Sequence, residues 1–336
     1  MSQRNLLALF LTLLLAPFPV LASDVFGTAV QAENASPETG EGVHFLIPAG
    51  PGGGLDSTAR ALGRVLTEEN LAKPVSYENM SGGGGGRAMS HFIETAPRQK
   101  RTLLVNSTPL LVRSLQGLFP QSHRDLVAIA GLIAEASVLA VRADSDIVDL
   151  AALIASLSSA PRRYTVGGGS VRGSFDHIAA ALILQAAGVP PRGVRYLPYD
   201  GGGKAMLALL GGEVDVLSTG LGEVLSYVAS GDVRILAIAA DRRNPMLPDA
   251  PTLTELGYPV VFSNWRGLFA APGASAASRD RLIQLVRSAT ASEAWRQALT
   301  RYGWQSQLLL GEDFRQYLNA QEAQLASVMR DLGFLD

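Results

Sequence analysis

The chain has 336 residues, 47% of them hydrophobic and 17% charged, with 28 basic against 30 acidic side chains and no cysteine. Its length exceeds what one hydrophobic core usually serves, so two lobes are expected, and the composition excludes a disordered chain or a coiled coil. Near-neutral charge excludes a broad basic face for nucleic acid or anionic lipid; the missing cysteines exclude disulfides, thiol catalysis, zinc–cysteine sites and a lipidated cysteine anchor.

The N-terminus, "MSQRNLLALFLTLLLAPFPVLAS", places Arg4 before the apolar stretch Leu6–Leu15, then Pro17, Pro19 and Val20-Leu21-Ala22. This is the layout of a secretory signal peptide over residues 1–22, cleaved after Ala22. The two prolines interrupt the run of about 20 apolar residues that a membrane helix needs. Residues 23–42 lack apolar periodicity and read as a flexible leader. An exported, soluble chain without disulfides is expected most simply in a bacterial periplasm.

Short apolar runs suited to buried parallel strands follow: Val43–Ile47, Thr102–Asn106, Val138–Arg142, Tyr164–Gly167, Val194–Leu197, Val214–Ser218 and Arg234–Ala239. Helical spacing separates them; in "FDHIAAALILQAAG", Phe175, Ile178, Ala179, Leu182 and Ala186 share a face and Gly188 marks the stop. The alternation predicts an α/β protein with parallel sheets. Near the C-terminus, "GEDFRQYLNAQEAQLASVMRDLG" predicts a long amphipathic helix ending at Gly333.

Each strand-to-helix joint is rich in Gly, Ser or Thr: "PAGPGGGLDST", "STP", "GGGSVRGSFD", "YDGGGK" and "TGLGE". Helix N-termini present unpaired N–H groups and the positive end of the peptide dipole. In parallel α/β sheets such joints gather at the carboxyl ends of the strands, where ligands bind, so recognition of an anion by backbone is expected. Candidate binding residues at the joints are Gly52, Gly53, Gly54, Asp56 and Ser57; Ser107 and Thr108; Gly168, Gly169, Ser170, Arg172, Ser174 and Asp176; Gly201; and Thr219 with Gly220.

Several chemistries are missing. Gly54 is followed by Leu55-Asp56 rather than the Lys-Ser/Thr of a phosphate loop, and neither glycine run has dinucleotide spacing. Arg172 stands where a serine-nucleophile elbow needs glycine after Ser170. The histidines, His44, His91, His123 and His177, are scattered, so no metal site and no cofactor are expected. A Ser174/Asp176/His177 triad would have to form within one helical turn, which seldom permits the geometry. No enzyme is expected.

Five segments, "VHFLIPAGPGGGLDSTARALGRVL", "YTVGGGSVRGSFDHIAAALI", "VRYLPYDGGGKAMLALLGGEVDVLSTG", "GDVRILAIAADRRNPMLPDAPTLTELG" and "NWRGLFAAPG", occur in this order from Val43 onward. Together they resemble the substrate-binding components of tripartite tricarboxylate transporters, the Bug family of periplasmic proteins. The resemblance implies a two-lobed periplasmic-binding-protein fold, type II-like, each lobe a mostly parallel sheet flanked by helices, with the ligand in the interlobe cleft. Crossings near Val141–Ala143 and Asn264–Gly267 would assign residues 43–141 and 267–336 to one lobe and 142–266 to the other. It further implies a ligand carboxylate held between Gly52–Ser57 and Gly168–Ser174. Asp56 would position bridging water or a donor group, or simply stabilise its helix N-terminus. Arg172 departs from the small residue expected there; it either forks onto a second carboxylate or is a solvated loop arginine. The implied ligand is a small, citrate-like di- or tricarboxylate delivered by a monomeric receptor to membrane permease subunits. Alternatives are another organic acid, an amino acid or a nicotinamide-like compound, or a sensor role on a signalling receptor.

Overall fold

The computed structural model describes residues 41–335, so the signal peptide and nearly all of the leader lie outside the described residues. The strands are β1 (Val43–Ile47), β2 (Val75–Asn79), β3 (Thr102–Ser107), β4 (Val127–Arg142), β5 (Thr165–Gly168), β6 (Arg195–Pro198), β7 (Val216–Gly220), β8 (Val233–Ile238), β9 (Ser263–Ala270) and β10 (Gln305–Leu310). The helices are α1 (Gly54–Glu68), α2 (Gly86–Glu94), α3 (Pro109–Leu115), α4 (Leu150–Ser159), α5 (Phe175–Ala186), α6 (Gly202–Leu210), α7 (Leu221–Ala229), α8 (Ala276–Ala291), α9 (Glu293–Tyr302) and α10 (Glu312–Asp331). None of the described helices is long and apolar enough to cross a membrane.

The strands run β2-β1-β3-β9-β4-β7-β5-β6, with β10 and β8 also paired to β4. Each lobe has a parallel core, β2-β1-β3 in the first and β6-β5-β7 in the second. Antiparallel pairings of β3 with β9, β9 with β4 and β4 with β7 connect the two cores. Apolar runs report burial and not strand direction, which is why these antiparallel links are invisible in the sequence.

Strand β4 belongs to both sheets. Val127–Ala136 pair with β9, whereas Ser137–Arg142 pair with β7 and β8. At the change, the Ser137 N–H donates to the Phe262 carbonyl at 3.1 Å. The chain therefore changes sheet between Ala136 and Ser137 and returns at Phe262–Ser263. Both points lie a few residues before the expected crossings near 141–143 and 264–267; β4 runs as one strand through the first of them.

Phe45, Leu62, Leu103, Ile133 and Trp295 are buried together in the first lobe. Leu139, Val166, Ile183 and Leu236 lie on one face of the second sheet, with Val138, Met206, Leu217 and Val224 on the other. Helix α10 buries Phe314, Leu318, Leu325 and Met329. A Cβ on either Gly131 or Gly267, register partners across β4 and β9, would collide with the Phe314 ring, so the glycine pair forms the slot that seats α10. Past Gly333 (φ +69°) the tail reaches the second lobe. Phe334 packs on His177 at 4.8 Å between ring centroids, and Arg192 donates to the Gly333 carbonyl at 2.7 Å.

Candidate functional site

Three glycine turns from the two lobes meet at backbone distance. A Cβ on Gly50 would lie 3.2 Å from the Asp200 carbonyl, one on Gly53 3.4 Å from the Gly202 nitrogen, and one on Gly203 3.4 Å from the Pro51 carbonyl. A Cβ on Gly169 would strike the Gly201–Gly202 backbone outright. The absence of a side chain is strictly required at Gly169, within the second lobe, whereas the turns before α1 and α6 meet at ordinary to tight contact distance.

A carboxylate of the protein itself lies at this junction. Glu223, in the first turn of α7, accepts the Gly54 N–H of α1 at 2.6 Å through Oε1 and contacts the Thr219 hydroxyl through Oε2. Beyond it lies a buried ion pair between Glu135 of β4 and Arg266 of β9. Arg266 pairs with Ile133 and Glu135 with Asn264 in the register, so the two charges are diagonal neighbours on one face. Glu135 Oε1 also accepts from the Gly222 N–H at 2.9 Å and from the Trp304 indole at 3.0 Å. Arg266 lies against Gly54, where a Cβ would collide with its guanidinium.

Asp176, in the first turn of α5, is the third acid of the group and is 7% exposed. Burial first, then the charge of Glu223, pushes its carboxyl up to about 8. Burial and the Glu135 carboxylate likewise raise Glu223, against the opposing pull of Arg266. Three acids thus share one guanidinium, and a proton held by Asp176 relieves part of the excess.

The expected site residues divide into three groups. Gly53, Gly54 and Thr219 lie against Glu223, Gly169 packs on the Gly201–Gly202 backbone, Gly201 lies near Gly50, and Gly220 packs on Glu135. Asp56 does not face this junction: it accepts from the Gly52 N–H at 3.0 Å, from Arg60 Nε at 2.9 Å and from Asn79 Nδ2 at 3.0 Å. Burial alone would raise its carboxyl, but these donors outweigh it and hold the pKa below the usual value. Asp56 is therefore the clasp of the first loop, and the Gly52 amide is committed to it. Ser57 continues α1, its N–H donating to Gly53, and Gly168 packs on Tyr196 and Asp176.

The remaining residues supply hydroxyls or the rim. Ser107 and Thr108 are buried at the end of β3, with the Thr108 N–H donating to Asn264 at 3.2 Å. The Thr108 and Ser174 hydroxyls, one from each lobe, are both buried without a hydrogen-bond partner. Ser170 accepts the Asp176 N–H at 3.0 Å, and Arg172 is exposed. His177 accepts the Gly173 N–H at 2.8 Å and stacks on Tyr196 at 4.3 Å. Burial, then Arg172, pulls its pKa down to about 4. With His177 engaged by backbone and the Ser174 hydroxyl unpartnered, no Ser174/Asp176/His177 relay exists. Among the described residues no cluster of three metal-binding side chains occurs.

Glu135, Glu223 and Arg266 were not among the sequence candidates. Two of them carried a signal: "GLIAEASVLAV" and "NWRGLFA" each contain one charge inside an apolar strand, and a buried charge requires a partner. Glu223 looked like an ordinary acid at a helix start.

The sequence matches the tripartite tricarboxylate transporter family receptor over residues 59–334. It is 30% identical over 289 residues to the UPF0065 protein of the tcbD-tcbE intergenic region of a Pseudomonas species, covering 84% of this chain and 83% of that one. It is 29% identical over 295 residues to Protein BugT of Bordetella pertussis, covering 87% and 89%. The solved structure of MatC from Rhodopseudomonas palustris with bound malate superposes with a TM-score of 0.76 at 23% identity, covering 87% of this chain and 99% of that one. The matched length and the shared fold place the chain in the tripartite tricarboxylate transporter receptor family, whose members are solute-binding receptors and not enzymes.

Proposed function

We propose that this chain is a periplasmic receptor that closes on a small, citrate-like di- or tricarboxylate and delivers it to the permease subunits of a tripartite tricarboxylate transporter. One observation carries the reading: the interlobe junction already holds a carboxylate, that of Glu223, on the N-terminal amide of α1. The unpartnered Thr108 and Ser174 hydroxyls add donors from both lobes. Hydrogen bonds to a charged group are worth about 1.5–3 kcal/mol each, and micromolar affinity needs about 8 kcal/mol, so a few such contacts suffice. Closure is then favoured only by a ligand that touches both halves. The malate bound by MatC is a ligand of this chemical class.

The surplus of Glu135, Glu223 and Asp176 over Arg266 favours a second reading, a ligand that also carries an ammonium group, such as an acidic amino acid. A thermal-shift screen decides between them. A true ligand at about 100 times its Kd adds about 2.7 kcal/mol of stability. We expect citrate and malate to raise the melting temperature and their neutral amides to leave it unchanged. Shifts by acidic amino acids alone would select the second reading, and shifts by uncharged compounds alone would reject both.

A further inference from the structure

We propose that Glu223 is a resident competitor for the ligand's seat: its carboxylate occupies the Gly54 amide at the α1 N-terminus, and an anionic ligand displaces it with uptake of a proton. This inference rests on the carboxylate-receptor reading and adds to it the residue that sets which ligand charge is accepted.

The geometry leaves Glu223 little freedom. Its Oε1 takes the Gly54 N–H across the lobe boundary at 2.6 Å, and its Oε2 meets the Thr219 hydroxyl of its own lobe. A Cβ on Gly202 would collide with the same carboxylate, which therefore also covers the start of α6. Two helix N-termini, one from each lobe, thus converge on a single side-chain anion. A ligand carboxylate bound at either one would meet Glu223 at contact distance.

The surrounding charges decide what happens then. From β4, Glu135 faces Glu223; from β9, Arg266; from α5, Asp176; and from β7, the Thr219 hydroxyl, which is uncharged. Arg266 is engaged by Glu135. A displaced, ionised Glu223 would therefore enter an acidic neighbourhood with its one cation already paired. Taking up a proton is the route that leaves no unpaired buried charge.

Calorimetry with citrate between about pH 7.5 and about pH 8.5, above the titration of citrate's own carboxyls, tests this. The wild-type Kd should weaken by up to about tenfold per pH unit, the slope for one proton taken up. Heats measured in two buffers of different ionisation enthalpy should give the same proton count. In Glu223→Gln the slope and the proton count should disappear, and binding at the upper pH should be about tenfold tighter than wild type. Equal affinity and equal slope in the two proteins would overturn the proposal, as would a slope that survives Glu223→Gln and is lost in Asp176→Asn.

A ligand-free readout separates this inference from the receptor reading. In wild type the Gly54 amide resonance should move with pH as Glu223 titrates, and in Glu223→Gln it should stay flat. If citrate does not bind but the resonance behaves so, the choice of ligand has failed and the assignment of Glu223 to the amide stands. A Gly54 resonance indifferent to pH in wild type overturns the inference whatever citrate does.

Discussion

Asp56 and Asp176 occupy nearly the same local position, each in the first turn of a helix that follows a glycine-rich turn, one in each lobe. Their environments pull in opposite directions. Asp56 has Arg60 one turn along, a backbone amide and an Asn79 side chain, and its pKa is lowered. Asp176 is buried within reach of Glu223 and Glu135 with Arg266 shared among them, and its pKa is pushed up to about 8. A helix N-terminus favours an acid in both places, but the charges brought in by tertiary contacts decide whether that acid is a permanent anion or a neutral carboxyl. In the first lobe's loop the Asp56 side is a structural clasp on the Gly52 amide, while the Gly54 amide faces the junction. The second lobe's loop keeps an unpartnered Ser174 hydroxyl and an acid with a raised pKa.

The largest expected effect comes from removing the cation on which the acidic side depends. Arg266→Leu leaves Glu135 buried without its partner and should cost about 3–5 kcal/mol, read by urea unfolding; a loss below about 1 kcal/mol would mean that the acids do not share that charge. Next, Asp56→Ala removes acceptors from Gly52, Arg60 and Asn79 and should cost about 2 kcal/mol. That penalty should shrink as pH falls through the lowered Asp56 pKa, since a depressed acid stabilises the fold only while ionised. A penalty that holds constant down to the acid transition would sever Asp56 from its donors.

Asp176 should show the opposite slope. With its folded pKa near 8, well above that of an unfolded carboxyl, the native state holds the extra proton. The contribution of this proton is therefore full only below about pH 4, the range of an unfolded carboxyl, and stability falls as pH rises from there to about 8, by at most about 1.4 kcal/mol per pH unit. Asp176→Asn should flatten the melting-temperature profile over that interval; an unchanged profile would end the contrast between the two aspartates. The smallest stability change is expected for Ser174→Ala. Its hydroxyl has no partner to lose, so the melting midpoint should move by no more than about 0.5 kcal/mol, while affinity for the carboxylate identified by screening falls about tenfold. Unaltered affinity would remove Ser174 from the site.

Much of this architecture was legible from local pattern. Val43–Ile47 reads as a buried strand because its apolar run is short and bounded by glycine and proline, and the glycine turns were found because backbone approach leaves a mark in the sequence itself. The relation between Glu135 and Arg266 was not legible. Each was visible as a lone charge in an apolar strand, but their pairing depends on the register of two strands more than 120 residues apart in sequence. The partners of Asp56 were only half legible: Arg60 lies one helical turn away and was readable, whereas Asn79 arrives on β2, a strand whose polar alternation concealed it. Glu223 shows the limit most clearly, since its partner amide belongs to the opposite lobe.

Because β4 is one continuous strand held in both sheets, opening and closing cannot occur about a slack linker. Any rotation between the halves must appear as torsion within a hydrogen-bonded ribbon, concentrated near the irregularities at Ala128–Ala130, Gly131–Ile133 and Leu139–Ala140. The stretch between them carries Glu135, so any twist of this ribbon between the halves would also turn that acid and its ion pair with Arg266.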